Sequence, residues 1–414
     1  MAGLKQSLLD EVSTWDIIDC HEHLPEESVR TGSVVDALTL LSHYTHNDLI
    51  TAGLTRADYD RSQDHSLPLE ERWALVEPYW ERIRFTGYAR AVTLAVQRFY
   101  GCDDLSGDTY QVISERMQAA NTPGLYDRVL REACHLRACL TQIGRFPTAN
   151  RDLLIPILPC MNFAAAGGRE QLEQRGAAAG VTVRTVADLV AVMRYEVGQA
   201  KALGAVGLKM VSRKLTNPAA SDAQHAFGKL MDDYEYDQGL LADYLLHELL
   251  EIAAAEDLVV AVHCGLIWTN WGDFTQTDPQ FMVPVLLAHQ RTRFDLYHAG
   301  IPWVRETGVI GKTFPNVWLN LCWCHVISPA MTISALNEWL DLMPYTKILG
   351  FGGDYGRPVE KVYGHLRLAL DNLTTVLAGR VEQGQMSESQ ALTVAHAWLW
   401  DNPLELYRLK DRVS

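Results

Sequence analysis

Two histidines one residue apart, His21 and His23, end a short apolar run (Trp15-Asp16-Ile17-Ile18-Asp19-Cys20), and Pro25 soon closes it. Residues two apart on a strand project to the same face, so two imidazoles aim one way at a strand end. Neutral imidazole is the commonest protein ligand for zinc-type metals, and the pair offers half of a metal site. Among fourteen histidines in 414 residues a close pair arises readily by chance. What gives this one meaning is a recurrence of polar residues at later strand ends. Lys209 stands in Val-Gly-Leu-Lys-Met-Val, His263 follows Val-Val-Ala-Val, His298 follows Phe-Asp-Leu-Tyr, and Asp354 follows Ile-Leu-Gly-Phe-Gly-Gly. One histidine at the end of an apolar strand is usually a packed, hydrogen-bonded residue. Four separate strands ending in His or Asp are much harder to explain by packing. Three neutral imidazoles and a carboxylate suit a divalent ion with one position left for water. Such an ion lowers the pKa of that water and polarises a carbonyl. A carboxylate beside it can take the water's proton and return it to a leaving group, and a further His can stabilise oxyanion charge.

The elements that must position these residues are short apolar runs alternating with helical patterns from about residue 133 onward. That alternation predicts a parallel sheet with crossover helices. Strands are expected at 136–143, 153–162, 205–211, 258–263, 293–298, 316–321 and 348–354. With the run ending at Cys20 they make eight, the number that an α/β fold of the (β/α)8 TIM-barrel type needs. They are continuously apolar rather than alternating, as strands covered on both faces are. Helices are expected at about 183–203, 238–255, 279–290, 302–313 and 331–342, with a wholly helical C-terminal segment over 357–410. Residues 26–132 break the rhythm: helical patterns at 70–85, 88–100 and 109–120 with almost no strand signal. The expected organisation is a barrel from 1–25 and 133–414, with 26–132 a helical insertion capping the end where barrel enzymes carry their chemistry. The irregular stretch 212–238 also belongs at that mouth.

Composition bounds the function. With 48% hydrophobic and 21% charged residues the chain can build a large core. A net charge of −15 and a pI near 5.4 argue against nucleic-acid and anionic-membrane surfaces. The eight cysteines are scattered, with no C-x-x-C pair, and several lie in apolar runs as small hydrophobes. No signal-like segment stands at the start, where 4–12 reads as a short amphipathic helix. No apolar run approaches the roughly twenty residues that span a bilayer. The expectation is a cytoplasmic protein with reduced thiols, acting on a small molecule as a homo-oligomer.

The order His-x-His, Lys, His, His, Asp over strands one, four, five, six and eight resembles the amidohydrolase superfamily of metal-dependent barrels. The stretches from His298 to Gly308, from Phe314 to Asn320 and from Tyr345 to Asp354 resemble the sixth, seventh and eighth strands of its "amidohydrolase 2" branch. The insertion, with Leu41-Ser-His-Tyr-Thr-His-Asn and Leu69-Glu-Glu-Arg-Trp, is more similar to uronate isomerase, a non-hydrolytic member. The resemblance implies that His21, His23, His263 and Asp354 are metal ligands. His298 is then a ligand to a second metal or a catalytic group beside a single one. Lys209 is either an ordinary lysine, as in that branch, or carboxylated and bridging two metals. The implied cofactor is one divalent metal, zinc foremost, with a second if Lys209 is carboxylated.

Other residues near strand ends are candidates for substrate contact: Trp268 and Trp271 after His263, Arg213 after the fourth strand, His325 after the seventh, and Arg357 after the eighth. Either arginine could pair with a carboxylate. His43 and His46, one turn apart in the insertion, are expected on the cap surface, with substrate contact as the alternative. Glu22 is expected to turn away from the metal, and Asn162 to end the third strand as a supporting donor. The leading function is a metal-dependent hydrolase of a small amide, lactone or related carbonyl compound. There Asp354 shuttles the proton of a metal-activated water and His298 steadies the carbonyl oxygen. Rivals are a uronate-type aldose–ketose isomerase, a non-oxidative decarboxylase and a catalytically silent binding barrel. The isomerase is weakened by Gly-Asp-Tyr-Gly-Arg-Pro at the eighth strand, where uronate isomerases show Asp-Ser-Arg-Ser. Arg357 is offset by one position.

Overall fold

The computed structural model describes residues 2–144 and 150–413. Eight parallel strands follow one another in sheet order: β1 Ile17–Glu22, β2 Leu136–Gln142, β3 Leu154–Pro159, β4 Gly207–Val211, β5 Val259–His263, β6 Arg293–Tyr297, β7 Val317–Asn320 and β8 Ile348–Leu349. The ring closes through backbone bonds from the segment after β8 to β1, with Cys20 N–H donating to Phe351 O at 3.0 Å and Asp354 N–H to His21 O at 2.8 Å. This is a (β/α)8 barrel.

Both faces of the strands are covered, which is why they lack polar alternation. Inside, Ile18, Ala138, Ile155, Val259 and Leu349 pack with Leu406, Tyr407 and Leu409 from the C-terminal end. Outside, a larger apolar layer joins the strands to helices such as Val186–Ala202, Gln238–Ala255 and Glu360–Glu382. Among the described residues no helix is long and apolar enough to cross a membrane.

Most strands end at or one residue before their expected limits, but the third and the eighth stop well short of theirs. β3 stops at Pro159, and the chain turns into a short helix, Met161–Ala164, on which Asn162 is exposed rather than poised at a strand end. Past Leu349 the eighth strand leaves its ladder with β7: Phe351 and Asp354 bond to β1, Gly350 N–H donates to Trp398 O, and Gly352 O accepts from Trp323 N–H. The Gly-Gly before Asp354 is a packing requirement. A Cβ on Gly352 would meet Cys322 Cβ at 2.5 Å and His21 N at 2.9 Å.

Between β1 and β2 the chain is helical, including Leu69–Ile83, Gly87–Tyr100 and Tyr110–Ala120. Its own core gathers Leu38, Trp73, Trp80, Val92 and Ile113. Two buried charges from the first turn of Glu360–Glu382 hold it to the barrel. Glu360 accepts from Arg30 at 2.8 Å and from the Tyr100 hydroxyl at 2.8 Å, and Lys361 donates to Ser42 O at 3.2 Å and Thr45 Oγ1 at 2.7 Å.

Candidate active site

Asp354 is the centre of the site. It is buried and sits at φ 63°, a left-handed conformation that non-glycine residues adopt at a cost. The backbone on either side is held from β1: Tyr355 N–H donates to Glu22 Oε2 at 2.6 Å, and Gly353 N–H lies 3.3 Å from both Asp19 carboxylate oxygens. Glu22 therefore turns away from the ligand pair, as its place between His21 and His23 implies, and serves the backbone. β1 shifts register against β2 between Asp19 and Glu22; such irregularities re-aim side chains beside active sites.

The Nε2 atoms of His21 and His23 each lie 3.2 Å from Asp354 Oδ1, and His298 Nε2 lies 3.8 Å from Oδ2. One donor atom each of His21, His298 and Asp354 falls within 4.8 Å of the others. Burial pushes the Asp354 carboxyl up, but the imidazoles of His21, His23 and His298 outweigh it and hold the group well below the usual carboxylate range. Burial also drives His21 and His263 down to about 3, and His298 well down. These imidazoles are neutral near pH 7.

The tautomers then follow from carbonyl partners, which only accept. His298 lies 3.0 Å by Nδ1 from Cys322 O, so its proton is on Nδ1. His263 lies 2.9 Å by Nε2 from Leu266 O, so its proton is on Nε2. His298 Nε2 and His263 Nδ1 face each other at 2.9 Å, each presenting a lone pair. Two lone pairs at that separation repel unless an electron-pair acceptor joins them. With Asp354 beside them, the donor set fits a divalent cation. The expected ligands His21, His23, His263 and Asp354 thus gather in one cluster, and His298 stands among them, between His263 and the carboxylate.

A cavity of about 620 Å3 opens over this cluster, and His21, His23, His263, Lys209 and Asp354 all line it. Lys209 faces the barrel interior, its Nζ 3.7 Å from the centre of the Tyr297 ring and without a hydrogen-bond partner; burial brings it down to about 8. Arg213 lines the cavity and pairs with Asp243 at 2.6 Å. Trp268 lines it too, edge-on to His263. Three other candidates stand elsewhere. Trp271, at φ 63°, is fully exposed and off the cavity wall. Arg357 also points to solvent; only its backbone is used, accepting from Arg30. His325 is core, because the turn Cys324–Ile327 directs it inward, where Nε2–H donates to Gly350 O at 2.9 Å and Nδ1 accepts from Asn372 at 3.2 Å.

The insertion reaches further in than its sequence implies. His43, at φ 60°, donates by Nε2–H to Asp354 O at 2.7 Å, and His43, Tyr44 and His46 all line the cavity. Surface positions for these two histidines are therefore corrected. Tyr44 stacks on Trp323 with ring centres 4.2 Å apart, and Asn47 ties the segment to Trp268 O at 3.0 Å. Gln142, the last residue of β2, is also on the wall; its place one residue before the end of the expected strand 136–143 was its signal, and Tyr44 had none beyond its neighbours.

Residues 162–409, more than half of the chain, match the model of the amidohydrolase family. The chain belongs to this family. A 178-residue stretch is 26% identical to protein fluG of Emericella nidulans, over 42% of this chain but only 20% of that protein's length. Among solved structures, uronate isomerase from Thermotoga maritima superposes with a TM-score of 0.79 at 17% identity, covering 98% of this chain and 97% of that one. A protein from Lactobacillus casei assigned as a metal-dependent hydrolase gives 0.66 at 20% identity, covering 98% and 99%. At these identities the structural likenesses establish the shared fold, insertion included, and the solved structures that share it include a uronate isomerase and a protein assigned as a hydrolase.

Proposed function

We propose that the chain is a metal-dependent hydrolase of a small substrate bearing an amide, lactone or similar carbonyl, with zinc as the first metal to test. The observation that carries this reading is the pair of facing imidazole lone pairs beside a buried, ionised Asp354. His21, His23, His263, His298 and Asp354 would hold the ion, His263 and His298 through the lone pairs that face each other. A divalent ion there supplies Lewis acidity toward a carbonyl and makes water a better nucleophile at neutral pH.

The chain's own groups divide the remaining work. Asp354 is the base: it takes a proton from the attacking water and returns it to the leaving group. With its proton committed to Cys322 O, His298 presents a lone pair and suits ligation rather than donation to an oxyanion. The unpartnered ammonium of Lys209 is the better donor to the carbonyl oxygen, and it is largely protonated at pH 7. Arg357, one position off from the arginine that uronate isomerases show at the eighth strand, is exposed and off the cavity wall.

A panel of amides and lactones, followed by product release from the zinc-loaded protein, tests the reading. The expected result is turnover of at least one, lost in Asp354→Asn. Comparable turnover of hexuronates to ketoses, or of aromatic acids with release of carbon dioxide, would replace hydrolysis by the corresponding reaction.

A further inference from the structure

The two ends of the cavity differ in chemistry. Polar groups crowd the end at Asp354. The opposite wall is apolar: Pro159 ends β3, Cys160 and Ala164 follow it, Met210 comes from β4, and Ala242 and Leu246 come from the helix Gln238–Ala255. Of the charges near that side, Arg213 is already paired with Asp243, and Lys209 lies over the Tyr297 ring in the barrel interior. Hydroxyl groups laid against this wall would give up water without gaining partners, whereas a ring or branched alkyl group would gain from leaving water. We infer that the substrate joins one polar reacting group to an apolar body about the size of a benzene ring, and is not polyhydroxylated. The inference rests on the metal-centre reading above for the orientation of the polar group.

Three hydroxamates that share a chelating head provide the test: acetohydroxamate, benzohydroxamate and the polyhydroxylated gluconohydroxamate, titrated calorimetrically into the zinc-loaded protein. Benzohydroxamate should bind at least about tenfold more tightly than either of the others, a gap of about 1.4 kcal/mol. Ala242→Phe, which fills the apolar end from a half-buried helix position, should erase that gap while leaving acetohydroxamate affinity within about twofold. Leu246→Asn is a second variant with the same expected outcome. Equal affinity of all three, tightest binding of gluconohydroxamate, or a benzohydroxamate preference unchanged in both variants overturns the inference and leaves the metal centre standing. Binding of none overturns the metal-centre reading and the inference with it.

Discussion

The barrel and the helical insertion serve one cavity by different means. Barrel residues reach it from strand ends, where backbone pairing fixes them: His21 beside the segment after β8, His263 in register with Tyr297, and Asp354 bonded to His21 O. Insertion residues reach it through packing and a few hydrogen bonds: His43 on Asp354 O, Lys361 under Ser42 and Thr45, and Asn47 on the Trp268 loop. The chemical groups are set by the rigid element, and the shape and accessories of the pocket by the element that packs onto it. The division predicts that damage at strand ends abolishes function, whereas damage in the insertion tunes it.

Asp354→Asn should have the largest effect, lowering kcat/KM on any substrate found by about a thousandfold or more, with circular dichroism unchanged. His43→Ala removes a single bond to the Asp354 backbone. It should cost about tenfold in kcat/KM while metal content by elemental analysis stays that of wild type; loss of the metal as well would erase the distinction between the two regions.

Lys361 tests the clamp itself. Burial brings its ammonium from 10.5 to about 7, so between those values the unfolded chain holds more protons on this group than the folded one. Its contribution therefore makes stability rise with pH across that window and costs stability below it. Lys361→Met should gain in Tm relative to wild type at pH 7 compared with pH 9.5, and a pH-independent difference would contradict the sign. The smallest effect is expected at Arg357→Ala, within about twofold of wild-type kcat/KM, because the side chain faces solvent.

Strand ends were the legible part of the site. A continuous apolar run followed by a polar residue marks both a buried parallel strand and its functional edge, so the eight strands and the five strand-end positions emerge together. Tertiary routing was not legible. His298 and His325 both follow apolar strands, yet one ends at φ 63° beside Asp354 while the other enters a short helical turn and meets Asn372. No local pattern separates them. Trp268 and Trp271 lie three residues apart in one loop, but Trp268 is anchored by Asn47 from the insertion and Trp271 is not. His43 and His46 carry a helical spacing that suits a solvent face, and distant partners hold their segment inward: Lys361 at Ser42 and Thr45, Asp354 O at His43 and Trp268 O at Asn47. The order of His263 and His298 about the carboxylate depends on two carbonyls, Leu266 O and Cys322 O, that no spacing encodes.

Metal stoichiometry tests the central claim most directly. Chelator-stripped protein titrated with zinc should take up one tightly held equivalent per chain, and Asp354→Asn should lose it. A wild-type protein that retains no divalent ion, or an Asp354→Asn variant that holds one equally well, would contradict a metal centre built around this carboxylate.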